Sequence, residues 1–232
     1  MKKYIKYLIV AAILITIFIN FKSINIVKSE VNYDPETKAI IHKEKNVTEL
    51  LKEKYKNDDI IGAIKIPNTD INEVLLQATN NEYYLTHDNY GNQDKYGSVF
   101  LDYRCNKDSK KLLIYGHNDY KDKTPFSELE NYYNENYYKI NQYIDVIIAD
   151  EKMKYQIFSI YVETEDFTYM NLKINDDEYT KDLIKYKDKS FYNTNVEVSK
   201  DDKILILQTC SKQKKYQKYK DKYLLIIAKK IN

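Results

Sequence analysis

The chain has 232 residues, with 37 basic and 35 acidic side chains and a formal net charge of +2 at neutral pH. This length suits one domain with a sizeable core. The balanced charge gives no global attraction to nucleic acid, which is therefore excluded as a partner. Three scattered histidines do not form a zinc site, and we expect neither a metal nor a cofactor.

A short apolar segment follows a basic head at the N-terminus. Two lysines precede an apolar run over 4–19, which is short for a bilayer span of about 17 to 25 residues. The residues after it are bulky and do not resemble a signal-peptidase site. The sequence predicts an uncleaved membrane anchor over 1–22, with a cytoplasmic N-terminus and the rest of the chain outside the cell. A cleavable signal and a buried helix are the alternatives.

The segment 35–56 has the pattern of an amphipathic helix. Asn46 followed three residues later by Glu49 resembles a capping box. The apolar side chains Leu50, Leu51 and Tyr55 fall on one face. We therefore predict a helix between the polar tether and the rest of the chain.

Short apolar runs separated by turn signals dominate the chain after residue 58. They predict strands at 60–66, 71–77, 97–102, 110–117, 143–150, 154–162, 203–210 and 222–230. Eight such strands indicate a mainly β protein with a closed or nearly closed barrel. Helical patches interrupt them at 80–86, 124–133 and 176–188. The predicted organisation is an anchor over 1–22, a tether and helix over 23–57, and a barrel over 58–232.

Two of the apolar strands end in a chemically reactive residue. The fourth predicted strand ends at His117, which follows Gly116, and the seventh ends at Cys210, which precedes a hydrophilic run. A cysteine and a histidine held at strand ends can supply a thiolate nucleophile and its acid or base partner. Their spacing alone also allows a core cysteine and an unrelated loop histidine.

The remaining cysteine and histidines are weaker candidates. His42 lies in the charged helix and His87 in a surface-type loop, so solvation is the expected state of both. Cys105 stands among charged residues, where an exposed bystander thiol is expected. A disulfide between Cys105 and Cys210 is the alternative.

Five segments carry recognisable motifs: "YGHN" after the fourth strand, "LQTC" ending the seventh, and "IIGAIKIPNTDINEVLLQ", "NNEYYLTHD" and "YGSVFLDYR". In their order along the chain they resemble segments of the sortases, the cysteine transpeptidases of Gram-positive cell surfaces. The resemblance covers about residues 30 to 231. The N-terminal helix and a helix-bearing insertion at about 163–202, between the sixth and seventh strands, are most similar to class B. The resemblance implies an eight-stranded sortase barrel.

The resemblance also implies a two-step acyl transfer. Cys210 would attack a threonine carbonyl in the C-terminal sorting signal of a secreted protein, giving a thioacyl-enzyme. An amine of cell-wall peptidoglycan would resolve it, with His117 moving the protons. The implied partners are the sorting-signal peptide, the peptidoglycan precursor amine and, through the anchor, the membrane. A weakly catalytic binding module and a hydrolytic peptidase on the same signal are alternatives.

One position departs from the family pattern. Sortases carry an arginine at the start of the last strand, where it donates to the substrate oxyanion, and Tyr223 takes its place here. Lys222 or Lys220 are alternatives, because the preceding segment is longer than usual. Arg104 is the only arginine, and it matches the family's "DYR" instead. A tyrosine offers one donor and a lysine a compact charge, so neither reproduces the planar guanidinium.

The same resemblance implies a set of substrate contacts. They are Asn81, Leu85, Tyr115, Thr209 and Tyr169. Ordinary packing is the alternative for the aromatic members.

Overall fold

In the computed structural model, which describes residues 46–119, 121–122 and 124–231, eight strands close into a barrel. The strands are β1 (Ile60–Lys65), β2 (Asn72–Leu76), β3 (Phe100–Leu101), β4 (Lys111–Tyr115), β5 (Tyr143–Ile148), β6 (Glu151–Glu163), β7 (Ile204–Cys210) and β8 (Tyr223–Lys230). The α-helices are α1 (Val47–Tyr55), α2 (Glu135–Ile140) and α3 (Asp176–Lys189). Short 3₁₀ helices span Tyr83–Leu85, Ser127–Tyr133, Phe167–Met170 and Lys214–Tyr216. The predicted barrel, N-terminal helix and helix-bearing insertion are confirmed.

The order of strands around the barrel decides which strand ends meet. The order is β1-β2-β3-β4-β7-β8-β6-β5. β4 and β7 are parallel neighbours, and β7 pairs antiparallel with β8. The C-terminal ends of β4 and β7 therefore lie at the same rim as the N-terminal end of β8.

The central strands β4 and β7 are apolar on both faces because the protein has two cores. Leu112 of β4 and Leu205 and Leu207 of β7 belong to a cluster with members from all eight strands, which fills the barrel. The alternate residues Leu113 and Ile206 pack in a second cluster with α1 and α3. Burial on both faces explains the continuous apolar runs of these central strands.

The start of α1 differs from the predicted capping box. Asn46 has a left-handed φ of 57° and makes no side-chain cap. The amide of Thr48 instead donates to Asp150 Oδ1 at 3.0 Å, so a carboxylate from the β5–β6 turn caps the helix. A capping box does begin α3, between Asn175 and Glu178. Residues 35–45 of the predicted helix lie outside the described residues.

Strand β3 is shorter than the predicted strand at 97–102. The amide of Ser98 donates to Tyr84 O at 2.9 Å, so this end of the segment pairs with a loop. Gly97 has a φ of +56°, and a Cβ there would lie 2.4 Å from Tyr84 O. Only glycine fits this close approach. Helix α2 was not predicted from the sequence.

The predicted localisation as a single-pass membrane protein is corrected by the structure. Within 46–119, 121–122 and 124–231, no helix combines the length and apolar character needed to cross a bilayer. The predicted anchor at 1–22 lies outside the described residues.

Candidate functional site

The ends of β4, β7 and β8 bring the reactive residues to one rim of the barrel. Tyr115 is the register partner of Gln208, and Cys210 is the partner of Tyr223. Beyond this register, Thr209 Oγ1 donates to Gly116 O and Asn118 Nδ2 donates to Cys210 O. The residues on either side of His117 are thus bonded to the last two residues of β7, which brings His117 and Cys210 to the same rim.

Gly116 allows the chain to pass closely under Phe126. A Cβ at Gly116 would lie 2.7 Å from the Phe126 ring, which is too short for any side chain. The next carbonyl, that of His117, accepts from Thr124 Oγ1 at 2.9 Å and from the Phe126 amide at 3.1 Å. Gly116, the glycine of "YGHN", therefore lets the loop with Thr124 and Phe126 approach and bind the main chain of His117.

The His117 side chain is half-buried, and its imidazole contacts the loop before β3. Its Nε2 lies 2.8 Å from Leu85 O. Because a carbonyl oxygen only accepts hydrogen bonds, Nε2 carries a proton. No hydrogen bond joins His117 to Cys210 in the part of the chain that the structure describes. Catalytic hydrogen bonds often tighten only when substrate binds.

Cys210 is exposed at the end of β7. Desolvation raises the pKa of its thiol above the ordinary value, and Asp221 adds to this effect, whereas Lys212 and Lys222 oppose it. The side chain is therefore mainly a neutral thiol at pH 7. A nearby base must take its proton before it can act as a nucleophile.

Tyr223 stands directly across from Cys210 at the start of β8. The Ser211 amide donates to Lys222 O at 2.8 Å, so the Cys210–Tyr223 pair is the kind without mutual hydrogen bonds. Side chains of such pairs are closer than those of hydrogen-bonded pairs. Tyr223 therefore lies beside the thiol.

The phenol of Tyr223 packs against Phe167 and interacts with Asp221. Its ring packs edge-on against Phe167, with centroids 5.8 Å apart. Burial raises the pKa of Tyr223, and the neighbouring Asp221 and Cys210 add to the shift. The ordinary pKa of a tyrosine already leaves the hydroxyl protonated at neutral pH, and the shift favours the same form.

The two lysines named as alternatives to Tyr223 lie in the loop between β7 and β8. Lys222 Nζ donates to Tyr219 O at 3.1 Å. Lys220 is exposed. Lys222 is thus the nearer cation, since it lowers the pKa of Cys210.

Arg104 binds the buried carboxylate of Asp102 and does not take the place of an arginine on the last strand. Its Nε and Nη2 donate to the two oxygens of Asp102 at 2.9 and 2.7 Å. Burial alone would raise the pKa of Asp102, but hydrogen bonds from Arg104, Tyr115 and Asn81 outweigh it and lower that pKa to about 2. The only arginine of the chain is therefore engaged in an ion pair in which Asp102 is buried and Arg104 is exposed.

Two predicted substrate contacts also bind Asp102. Asn81 Nδ2 and the Tyr115 hydroxyl each donate to Asp102 Oδ2 at 2.8 Å. Asn81 Oδ1 accepts from the Tyr103 amide at 2.9 Å. The carboxylate thus connects the loop before β3 with β4.

The other three predicted contacts differ in accessibility. Thr209 is buried and donates through Oγ1 to Gly116 O at 2.7 Å. Tyr169 is fully buried, and its hydroxyl donates to Gln208 Oε1 at 2.7 Å. Leu85 is 39% exposed, and this side chain alone of the three is open to a ligand.

The remaining cysteine is not the exposed thiol that the sequence predicts. Cys105 is buried, its Sγ lies 3.4 Å from Lys111 O, and burial raises its pKa to about 11. Its neighbours in sequence are charged, but the chain turns inward after β3. Both cysteines are free thiols, so the disulfide alternative is also wrong.

His87 lies in the loop before β3, two residues after the Leu85 carbonyl that contacts His117. His87 stacks on Tyr83, with ring centroids 3.9 Å apart. His42 is not among the described residues. Within the part of the chain that the structure describes, no three His, Cys, Asp or Glu side chains are grouped to hold a metal ion.

Sequence reasoning missed Asn118, the last residue of "YGHN". Its Nδ2 donates to the carbonyl of Cys210 at 2.7 Å. The only available signal was its position next to His117.

Acid titration should reveal the Asp102 cluster as a source of stability. The native pKa of about 2 lies below the unfolded value of about 3.9. This stability is complete above about pH 4 and is lost as the pH falls through about 2, and it corresponds to about 2.6 kcal/mol. Asp102→Asn should lower the free energy of unfolding at pH 7 by at least this amount and flatten its acid dependence. Urea unfolding across this pH range measures both, and an unchanged acid dependence contradicts the assignment.

Comparison with known proteins gives consistent matches. A family model described as the sortase domain matches residues 64–230. The chain is 33% identical over 165 residues to sortase B of Listeria monocytogenes, covering 70% of this chain and 67% of that protein. The fold is similar to a Staphylococcus aureus sortase B–substrate complex, with a TM-score of 0.76 and 27% identity over 88% of this chain and 97% of that one. It is equally similar to a sortase B complexed with triglycine, with a TM-score of 0.76 and 29% identity over 88% and 98% of the two chains.

Proposed function

Because this chain belongs to the sortase family of cysteine transpeptidases, we propose that Cys210 is its nucleophile and that His117 is its general acid and base. The observation that carries this assignment is the rim geometry. An exposed cysteine ends β7 beside the histidine that follows β4. The second cysteine is buried and hydrogen-bonded, which leaves Cys210 as the accessible thiol.

The first half-reaction forms a thioester and releases an amine. The thiol proton of Cys210 passes to His117, and Sγ attacks the threonine carbonyl of the sorting signal. The C–N bond of the scissile peptide then breaks, and the imidazolium protonates the leaving amine. The Leu85 carbonyl accepts a hydrogen bond from Nε2 and in this way orients the imidazole ring for the proton transfers.

The second half-reaction transfers the acyl group to a new amine. An amine nitrogen attacks the thioester carbon, the C–S bond breaks, and His117 takes the proton of the incoming amine and returns it to the Cys210 thiolate. Related sortase B structures contain a substrate and triglycine, which supports a sorting-signal peptide and an amino-terminal acceptor as the two partners. For this chain we propose a peptidoglycan amine as the acceptor.

Tyr223 is the proposed oxyanion donor. It stands across from Cys210, and its phenol, which interacts with Asp221, carries a proton at neutral pH. Among the predicted substrate contacts, we retain the Leu85 side chain as a contact. Asn81, Tyr115, Thr209 and Tyr169 act in our proposal by shaping the site through their internal hydrogen bonds.

Substitutions at the start of β8 separate the possible oxyanion donors. If the Tyr223 hydroxyl donates to the oxyanion, Tyr223→Phe should lower kcat about 10²-fold while the protein stays folded. Tyr223→Arg should preserve or raise kcat, because the guanidinium adds donors and a fixed charge. Kinetics with one sorting peptide measure these changes. A damaging Lys222→Ala or Lys220→Ala beside a mild Tyr223→Phe would assign the role to that lysine, and four unaffected variants would exclude a donor from this part of the chain.

Product analysis tests the proposed function as a whole. Sorting-signal peptides are incubated with the protein, with and without triglycine, and the products are identified by mass spectrometry. We expect cleavage after threonine and a new amide bond to triglycine. Cleavage to the free acid alone would identify a hydrolytic peptidase. Binding without cleavage would identify a binding module, the alternative that the absence of the last-strand arginine suggests.

A further inference from the structure

We propose that Asn118 and Glu130 form a clamp that positions the nucleophile, an inference that rests on the proposed role of Cys210. Asn118 directly follows the proposed acid and base, His117, and binds the carbonyl of Cys210. Glu130 belongs to the 3₁₀ helix Ser127–Tyr133 and binds Asn118. Neither side chain is required to touch the substrate in this role.

The side-chain amide of Asn118 uses both of its hydrogens. Nδ2 donates to Cys210 O at 2.7 Å and to Glu130 Oε1 at 2.9 Å. Both partners are acceptors, so the orientation of the amide is fixed. Asn118 is buried, where a hydrogen bond to a carboxylate is stronger than at the surface.

This contact replaces the next step of a strand ladder. The Gly116 amide donates to Gln208 O, and a regular parallel ladder would next bring the Asn118 amide to Cys210 O. That carbonyl instead accepts from the Asn118 side chain. The main chain at His117 is thereby released from the sheet and held by Thr124 and Phe126, while β7 keeps its connection to β4.

Glu130 extends the clamp to Lys212. Its Oε1 also accepts from the Lys212 amide at 2.8 Å. The carbonyl of Cys210 and the amide of Lys212 are therefore held from one side by the Asn118–Glu130 pair. These two groups flank the point where β7 becomes the loop toward β8.

The functional consequence is a fixed backbone at the reacting cysteine. Among the described residues no hydrogen bond joins the thiol to His117, so their relative position depends on the backbone. The Asn118 contact is a side-chain bond from the residue after the histidine to the cysteine itself. A misplacement of about 1 Å can cost about 10²-fold in rate. Loss of the clamp should therefore lower kcat with little effect on KM.

The test uses full-length protein and the peptide and triglycine assay of the proposed function. Asn118→Ala and Glu130→Ala should each lower kcat about 10- to 100-fold, with KM and thermal stability changing much less. The double variant should be little worse than Asn118→Ala, because both changes remove the same clamp. Glu130→Gln keeps an oxygen acceptor for Asn118 and Lys212, and it should recover most of the kcat lost in Glu130→Ala.

Glu128→Ala is the matched control on the same 3₁₀ helix. Glu128 accepts from the Asp70 amide at 2.8 Å and from the Tyr137 hydroxyl at 2.7 Å, and among the described residues it has no hydrogen bond to Asn118, His117 or Cys210. This variant should lose stability and keep its kcat. If Asn118→Ala fails to fold, Glu130→Ala with Glu130→Gln still decides the matter. Unchanged kcat in Glu130→Ala, or a loss proportional to stability in all variants, overturns the clamp, whereas an inactive wild type contradicts the proposed function instead.

Discussion

Cys210→Ala is expected to abolish cleavage of the sorting peptide, lowering the rate at least about 10⁴-fold. The reason is chemical: alanine has no atom that can form the thioester. Cys210 is the exposed thiol at the end of β7. Peptide cleavage followed by chromatography measures the effect, and folding is checked by thermal unfolding.

Cys105→Ala provides the matched control for this change. Cys105 is buried and its raised pKa, about 11, keeps it a neutral thiol. We expect near wild-type cleavage and a modest loss of stability from the small cavity. Comparable losses of activity in both folded variants would contradict a single nucleophile.

His117→Ala is expected to lower turnover about 10³-fold or more, because both proton transfers pass through this side chain. The neutral thiol of Cys210, with its raised pKa, depends on a base for activation. The variant should therefore also regain part of its activity as the pH rises toward the pKa of the thiol. Rates measured across the neutral and alkaline range report this dependence.

His87→Ala is the control for the histidine assignment. His87 stacks on Tyr83 in the loop before β3 and, among the described residues, has no hydrogen bond to His117 or Cys210. Its replacement should leave turnover close to wild type. Equal damage from His87→Ala in a folded protein would refute the choice of His117.

The barrel could be predicted because each strand corresponds to a local pattern of residues in the sequence. Short apolar runs with turn residues between them identified all eight strands, although β3 contracted to Phe100–Leu101. The cap of α1 was not predictable, since it comes from Asp150, which is distant along the chain. Local sequence describes which segments extend, whereas long-range partners decide where they end.

In the candidate site, too, some features could be predicted from local sequence and others depend on long-range contacts. The residues Cys210 and His117 were found as polar ends of apolar strands, and the strand order brings them to one rim. The burial of Cys105 could not be read from its charged neighbours, because it follows from the turn after β3. The partners of Asp102 and Asn118 are also spread along the chain. Such clusters form only when the barrel closes.

The central claim is that Cys210 carries the acyl group between donor and acceptor. The most direct measurement is the mass of the intact protein after mixing with a sorting-signal peptide and no amine, followed by digestion to locate the modification. We predict an added mass equal to the acyl portion of the peptide, attached at Cys210 and released when triglycine is added. Cleavage without any adduct on Cys210, or an adduct on another residue that triglycine resolves, would contradict the account.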